Sequence, residues 1–269
     1  MTLTEHTYDP DGLAARLADV ELIRGIHVFQ SISSTNLVAK RLAESGAETG
    51  TLVLADRQTA GRGRHGRRWE SPAGLGLWFS LVLRPQLRDD RWHLLPMLLS
   101  ELVARSLIQQ FHQPFHVKWP NDVIADGKKL CGILCESSSD GGRMEYIVAG
   151  IGLNVRQSPD DFPAQFRHSA TSLRLVLRRS PDRTEVLVQL LHDFSRWLMP
   201  ILRGERPLEL SGWRELCADF GRAVRIRAPQ REWRGILQRV SAAGDLVIRD
   251  ASGREQIIPY GQASLRVES

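Results

Sequence analysis

Two stretches of this 269-residue sequence carry residue types that can do chemistry. Gly61 to Trp69 reads GRGRHGRRW, four arginines in nine residues with glycines between them. Guanidinium groups on a glycine-hinged loop can fold over an anion and bind it through charge-assisted hydrogen bonds. Such a loop is expected to be disordered when empty and to order as the anion arrives. The spacing is also G-x-G-x-x-G, which in a dinucleotide-binding fold leads into a helix whose N-terminus holds a pyrophosphate. Here RRWESPAG follows, and Pro72 with the turn residues after it leaves no room for that helix. A Walker loop is excluded as well, because no G-K-[ST] follows the glycines.

The second stretch, Lys118 to Leu134, reads KWPNDVIADGKKLCGIL. Trp119-Pro120 is a stiff turn that displays Asn121 and Asp122 at a strand end, while Lys128 and Lys129 return on the hairpin partner. A carboxylate and an amide beside ammonium groups suit a Mg2+-bound polyphosphate, with Asp122 for the metal and lysine for phosphate or carboxylate oxygens. A solvated turn would use the same residue types. Of the 36 Lys and Arg residues only four are lysine, and three of those, Lys118, Lys128 and Lys129, fall in this stretch. Either chance gathers them, or a compact ammonium is needed where a planar guanidinium will not serve.

These groups need elements to hold them. Residues 11–20 read as a short amphipathic helix, IHVFQSISSTN as a strand entering a turn, and a helix capped by Ser33 or Ser34 runs to Glu44. Thr51 to Gln58 is a strand feeding the arginine loop, LGLWFSLVLRP a buried strand ended by Pro85, and Arg91 to Gln110 a long apolar helix. FHVKW and DVIADGKKLCGILCESS form strands joined across Asp126-Gly127, a type I′ hairpin signal, and MEYIVAGIGLNV is a further strand. Thr184 to Arg203 is a strong helix and LELSGWRELC holds a short one. From Gly221 five short strands spaced by Gly, Pro and Asp predict a small barrel or sandwich of about fifty residues. The main body is therefore α+β rather than a series of β-α-β units.

Composition agrees, with 42% hydrophobic and 25% charged residues over a length that suits a large core and a small module. The net charge of +5 comes from arginines spread from Arg16 to Arg266, a weak argument for nucleic acid. MTLTEHTYDPDG lacks the basic and apolar regions of a secretory signal, and HLLPMLLSELVARSLI is broken by Pro96, Glu101 and Arg105. A soluble, cytoplasmic protein without a membrane partner is expected. Cys131, Cys135 and Cys217 have neither C-x-x-C spacing nor nearby histidines, so they read as reduced, buried small hydrophobes.

Taken together, SSTN (Ser33 to Asn36), QTAGRGRHGRRWESP (Gln58 to Pro72), KWPND (Lys118 to Asp122), KKLCGIL (Lys128 to Leu134) and GIGLNV (Gly150 to Val155) resemble the biotin protein ligases in order and approximate spacing. The resemblance covers Ser31 to Val267. It implies a catalytic domain over 1–218 related to class II aminoacyl-tRNA synthetases, a mixed sheet with flanking helices, and a small SH3-like β-barrel over 219–269. It also implies the reaction: biotin and ATP with Mg2+ give biotinoyl-5′-adenylate and pyrophosphate, and a lysine of a biotin carboxyl carrier protein of acetyl-CoA carboxylase or another biotin-dependent carboxylase takes the acyl group.

The resemblance further assigns residues. Ser34, Thr35, Asn36 and Gln58 would hold the ureido ring and neighbouring biotin atoms. Gly61, Arg62, Gly63 and Arg64 would form the loop that closes over biotin and its adenylate, with Arg62 and Arg64 counted with Lys129 as catalytic. Lys129 would reach the biotin carboxylate and later the adenylate phosphate, and Gly132 would leave room for the rings. Trp69, Lys118, Asn121, Asp122 and Asn154 would serve ATP together with Gly61, Asp122 also taking Mg2+. Singly these residues suit bland roles, Ser34 and Thr35 as helix caps, Gln58 as a strand end and Trp69 as a core aromatic; as a set in register they do not. About thirty residues precede the first motif. One short helix does not make a winged helix-turn-helix, so no sequence-specific DNA binding is expected. The family admits homodimers paired through sheet edges. Two other readings stand beside this one. One is a lipoate or octanoate ligase of related fold. The other is an arginine-rich nucleic-acid-binding module, which would interleave aromatics with its cations, whereas only Trp69 stands among them.

Overall fold

The computed structural model describes residues 8–86, 90–141, 143–228, 231–261 and 264–267. In chain order the elements are α1 (Pro10–Arg16), β1 (Gly25–Ile32), α2 (Thr35–Glu44), β2 (Thr51–Gln58), β3 (Gly76–Leu83), α3 (Leu95–Phe111), β4 (His116–Lys118), β5 (Asp122–Ala125), β6 (Lys128–Asp140) and β7 (Arg143–Asn154). There follow α4 (Leu173–Leu177), α5 (Arg183–Leu202), α6 (Trp213–Leu216), β8 (Ala223–Ala228), β9 (Arg231–Val240), β10 (Leu246–Arg249), β11 (Glu255–Ile258) and β12 (Ser264–Val267).

Strands β1 to β7 form one mixed sheet in the order β1-β2-β3-β7-β6-β5-β4, with β1 and β2 parallel and the other neighbours antiparallel. Alternation along β3 sends Leu77, Phe79 and Leu81 to one face, where they join Leu99, Val103, Leu190 and Phe194 of α3 and α5 in the main core. The opposite face is only partly covered. Ala39 and Ala43 of α2 pack there on Val53, Val82 and Val148, leaving the β6–β7 end of that face to other groups. Strands β8 to β12 make a separate antiparallel sheet in the order β11-β10-β9-β8-β12, closed on Val224, Ile226, Leu237, Leu246, Ile248, Ile258 and Leu265.

Local chemistry accounts for most boundaries. Asp126 and Gly127 both take positive φ, +50° and +72°, as a type I′ hairpin requires. The helix expected from Arg91 instead begins at Leu95 after a single 3-10 stretch, Asp90–Leu94. Pro96 lacks an N–H and is tolerated only in a first turn, so the α-helix cannot start a turn earlier. Helix α1 stops at Arg16, short of the expected Val20, yet Leu17, Val20 and Leu22 remain buried as turns. Among the described residues no helix is long and apolar enough to cross a membrane.

Candidate active site

Register builds the floor of the site. Across β3, β7, β6, β5 and β4, Trp78, Gly152, Gly132, Asp122 and Lys118 stand opposite one another in turn. Opposed residues project to the same side of a sheet. The two glycines leave a gap in that row, and the Trp69 indole lies in it. A methyl group at Gly152 would come 2.6 Å from Trp69 Nε1, and one at Gly132 would come 3.1 Å from the ring. Lys129 crosses the same patch, its ammonium 5.1 Å from the Trp69 ring centroid and 2.7 Å from Asp122 Oδ1. The ion pair is not aligned as a hydrogen bond, and Trp69 Nε1 nearby is likewise buried without a hydrogen-bond partner.

The α2 end supplies the polar wall. Ser34 takes the N-cap position with extended backbone, but its hydroxyl makes no cap bond, unlike Ser172 and Asp182 at the starts of α4 and α5. Thr35 donates to Gln58 Oε1 from both N–H (2.8 Å) and hydroxyl (3.1 Å), and Gln58 Nε2 donates to Ser71 Oγ at 2.8 Å. Ser80 Oγ lies 2.8 Å from Thr35 Oγ1 and 2.7 Å from Asn36 Oδ1. A hydroxyl has one proton, so Thr35 and Ser80 share these contacts in more than one way, and Gln58 Oε1 keeps the Thr35 N–H in either. Asn36 Nδ2 donates to Glu136 Oε2 at 2.8 Å, and Arg62 pairs with the other oxygen of Glu136 at 3.2 Å.

The arginine loop folds back on itself between β2 and β3. Arg62 and Arg68 bridge as antiparallel partners, Gly63 N–H donates to Arg67 O at 2.7 Å and Trp69 N–H to Gly61 O at 2.9 Å. His65 and Gly66 at the tip have φ of +56° and +71°. The helical content is one 3-10 turn, Arg64–Gly66, so no helix N-terminus faces an anion here. Arg64 reaches over the site to Asn121 Oδ1 at 3.3 Å and, from its other terminal nitrogen, to Gly261 O at 3.2 Å. Asn121 is buried and donates to Ile133 O. Burial, then Arg64 and Arg67, draws the exposed His65 imidazole below its ordinary range. Burial pushes the Tyr260 phenol up to about 12, while Arg64 pulls the other way. The buried Cys131 thiol is pushed up as well, which keeps it protonated and inert.

Of the residues singled out in the sequence, Ser34, Thr35, Asn36, Gln58, the Gly61 to Arg64 segment, Trp69, Asn121, Asp122, Lys129 and Gly132 gather on this one face. Two stand apart. Asn154 is buried with both ends of its amide bonded to protein, Nδ2 to Thr171 O at 3.0 Å and Oδ1 from Gln157 at 2.9 Å. It acts behind the site, because Thr171 N–H in turn donates to Lys129 O at 2.9 Å. Lys118 ends the floor row, but its charge is felt by Asp219 and Cys217 at the start of the C-terminal sheet. Glu136, Ser71 and Ser80 belong to the site although the motifs did not single them out. Glu136 falls on the 132–134–136 alternation, and Ser80 is the one hydroxyl within LGLWFSLVL, a strand buried throughout.

Comparison with known proteins places this geometry in a family. The model of the biotin/lipoate A/B protein ligase family matches residues 28–154. The bifunctional ligase/repressor BirA of Bacillus subtilis is 35% identical over 227 residues, 84% of this chain and 70% of that protein. The biotin–[acetyl-CoA-carboxylase] ligase of Paracoccus denitrificans is 34% identical over 239 residues, 85% of this chain and 95% of that one. The structure of biotin protein ligase from Aquifex aeolicus in complex with biotin and ATP superposes with a TM-score of 0.79 at 31% identity, covering 91% of this chain and 100% of the other. A glycine floor, a lysine–aspartate pair and an arginine loop on a shared fold, with relatives over most of the length, make this chain a member of the biotin protein ligase family.

Proposed function

We propose that this chain activates biotin with ATP as biotinoyl-5′-adenylate and transfers it to a lysine of a biotin carboxyl carrier protein. The observation that carries the reading is the Lys129 ammonium, set beside Asp122 over the Gly132–Gly152 floor between the arginine loop and the polar wall of α2. The Paracoccus relative named for biotin and acetyl-CoA carboxylase, and the Aquifex structure holding biotin and ATP, support it.

The reaction needs two anions brought together. A biotin carboxylate oxygen attacks the α-phosphorus of ATP, the bond from that phosphorus to the bridging oxygen breaks, and pyrophosphate leaves with the electron pair. The carrier lysine amine then attacks the acyl carbon, AMP leaves, and the amine proton passes to solvent. Lys129 offers a compact charge to the carboxylate and then to the adenylate phosphate, offsetting the repulsion. Arg62 and Arg64 close the loop on the anion, and Gly61 and Gly63 let it turn. Ser34, Thr35, Asn36 and Gln58 receive the ureido ring, with hydroxyl and amide groups that can both donate and accept. Gly132 gives the rings room, while Trp69, Asn121 and Asp122 face the nucleotide. Lys118 and Asn154 support that side through the C-terminal sheet and the Lys129 backbone.

Among the described residues no group of three or more His, Cys, Asp or Glu side chains gathers to cage a metal. The Asp122 carboxylate, ion-paired with Lys129 through Oδ1, fits the one-carboxylate sites that Mg2+ takes beside polyphosphate and water. Bound there, Mg2+ would supply positive charge to the phosphates. The reading further divides the chain into a catalytic domain of class II synthetase type over 1–218 and an SH3-like barrel over 219–269. It places the protein in the cytoplasm with its carrier, and lets two copies pair through sheet edges.

The test is pyrophosphate release from ATP and Mg2+ with biotin, lipoate or octanoate offered separately, the acyl-adenylate being identified by mass. Biotin-dependent release with biotinoyl-adenylate is expected. Release with lipoate or octanoate alone would move the chain to the neighbouring ligases, and no release with any acid would remove the enzymatic reading.

A further inference from the structure

One loop of the C-terminal sheet ends on the arginine loop, and a second braces it from behind. The turn after β11 brings the Tyr260 ring to 6.0 Å from the Arg64 guanidinium and the Gly261 carbonyl to 3.2 Å from its Nη2. Tyr260 is itself held from several sides. Its N–H donates to Asp245 Oδ1 at 2.9 Å in the β9–β10 loop, Trp119 stands edge-on at 6.2 Å and His93 lies tilted at 5.7 Å. Trp119 is fixed in turn by a 2.9 Å bond from Nε1 to Gly244 O, and His93 Nε2 lies 3.2 Å from Ala243 O. The ring therefore sits in a cage built by two elements of the catalytic sheet region and two loops of the C-terminal sheet, with Arg64 as the cation beside it. A desolvated aromatic ring next to a carbonyl is a specific seat for a guanidinium, which can stack and donate at once.

We infer that Tyr260 is a positioning residue that seats Arg64 over the site, so that the C-terminal sheet sets how firmly the arginine loop retains the acyl-adenylate. The inference rests on the ligase reading above. It assigns to the C-terminal sheet a role at the mouth of the site that needs no direct contact with either substrate.

The experiment compares Tyr260→Phe, which keeps the ring, with Tyr260→Leu, which removes it, in the wild-type and Arg64→Gly backgrounds. Release of biotinoyl-adenylate formed in situ is followed by chase. Tyr260→Leu should speed release on the order of tenfold, Tyr260→Phe should stay within about twofold, and adding Tyr260→Leu to Arg64→Gly should change nothing further. Equal acceleration in both backgrounds, or wild-type release from Tyr260→Leu, would overturn the inference. Asp245→Ala, which frees the Tyr260 backbone, is the second variant and should act in the same direction as Tyr260→Leu. A readout independent of the reaction is trypsin cleavage after Arg64 in the ligand-free protein. It should rise in Tyr260→Leu and not in Tyr260→Phe, whether or not biotin proves to be the acid, and an unchanged rate would count against the seat itself.

Discussion

Lys129 Nζ and Asp122 Oδ1 lie 2.7 Å apart without the alignment of a hydrogen bond. A pair held in that way can trade partners cheaply, and an arriving carboxylate or phosphate competes directly with Asp122 for the ammonium. Space around it is narrow, since a methyl group at Gly132 would come 3.2 Å from the same nitrogen. A guanidinium would present its charge as a wide planar fork rather than as a compact point. Lys129→Arg should therefore fail to rescue Lys129→Gln, and both should slow adenylate formation by about 100- to 1,000-fold, the usual loss of a charge aimed at a developing anion. Single-turnover pyrophosphate release measures it, and a Lys129→Arg enzyme near wild-type speed would refute the role.

Arg64 is the retaining contact in the proposed reaction. The adenylate is a reactive mixed anhydride that has to be kept from water until the carrier lysine arrives. Losing one charge-assisted hydrogen bond of about 2 kcal/mol should raise its release about thirtyfold. Arg64→Gly is thus expected to leak adenylate and to acylate bystander proteins. Labelling confined to the carrier protein, at wild-type leakage, would rule this out.

Gly152 lies under the Trp69 indole at a distance no side chain can share. Gly152→Ala has to push the ring off the floor, an overpacking cost of about 1–3 kcal/mol. Because Trp69 faces the nucleotide in the proposed arrangement, KM for ATP should rise about tenfold or more with the same change. Thermal unfolding and ATP titration of initial rates test the two effects separately. A stable variant with unaltered KM would detach Trp69 from the nucleotide.

The strands, the hairpin at Asp126-Gly127 and the run of short C-terminal strands are legible because each follows from local pattern: alternation, paired positive-φ residues and regular turn spacing. The start of α3 was displaced by Pro96, a local constraint outweighed in the sequence reading by a long apolar run. Lysine counting pointed to Lys129 and also to Lys118, and only the folded chain separates them: strand pairing sets Lys118 opposite Asp122 at the end of the floor row, whereas Lys129, paired with Ile124 beyond a register shift, reaches Asp122 through its side chain. Glu136, Ser80 and Tyr260 were not found because their meaning is tertiary. Glu136 gains its role from Arg62 and Asn36, far off in sequence, and Tyr260 meets Arg64 across 196 positions of chain.

Asp56 and Arg183 form a buried pair at 2.8 Å beneath the end of β2 that carries Gln58. Asp56 also accepts from Gly74 N–H at 3.1 Å, and Arg183 donates to Gly76 O at 3.1 Å while lying over the Tyr8 ring. Removing one partner leaves the other charge without its counterion in a dry place. Arg183→Met should lower stability by about 3–5 kcal/mol, and Asp56→Asn added to it should recover part of the loss. Urea unfolding of the single and double variants measures the coupling, and additive losses would show that the two residues act separately.

Glu101 supplies the pH dependence. It is buried on α3 against Gly212, with Oε2 unbonded and Arg105 pairing the other oxygen at 3.0 Å. Burial outweighs that arginine and raises the carboxyl above its ordinary 4.5. Below 4.5 the folded and unfolded chains both hold the proton, and Glu101 adds no pH dependence. As pH climbs from 4.5 through the raised folded-state value, the unfolded chain gives up its proton first, and stability falls. Glu101→Gln cannot ionise and so lacks this slope, while Arg105 keeps Glu215 at 3.3 Å as a partner. The variant should therefore gain on the wild type in urea-unfolding free energy as pH rises from 4.5 through the range in which the folded protein still holds the proton. A difference that stays constant across that range would mean that the folded protein holds Glu101 no more tightly protonated than the unfolded chain does.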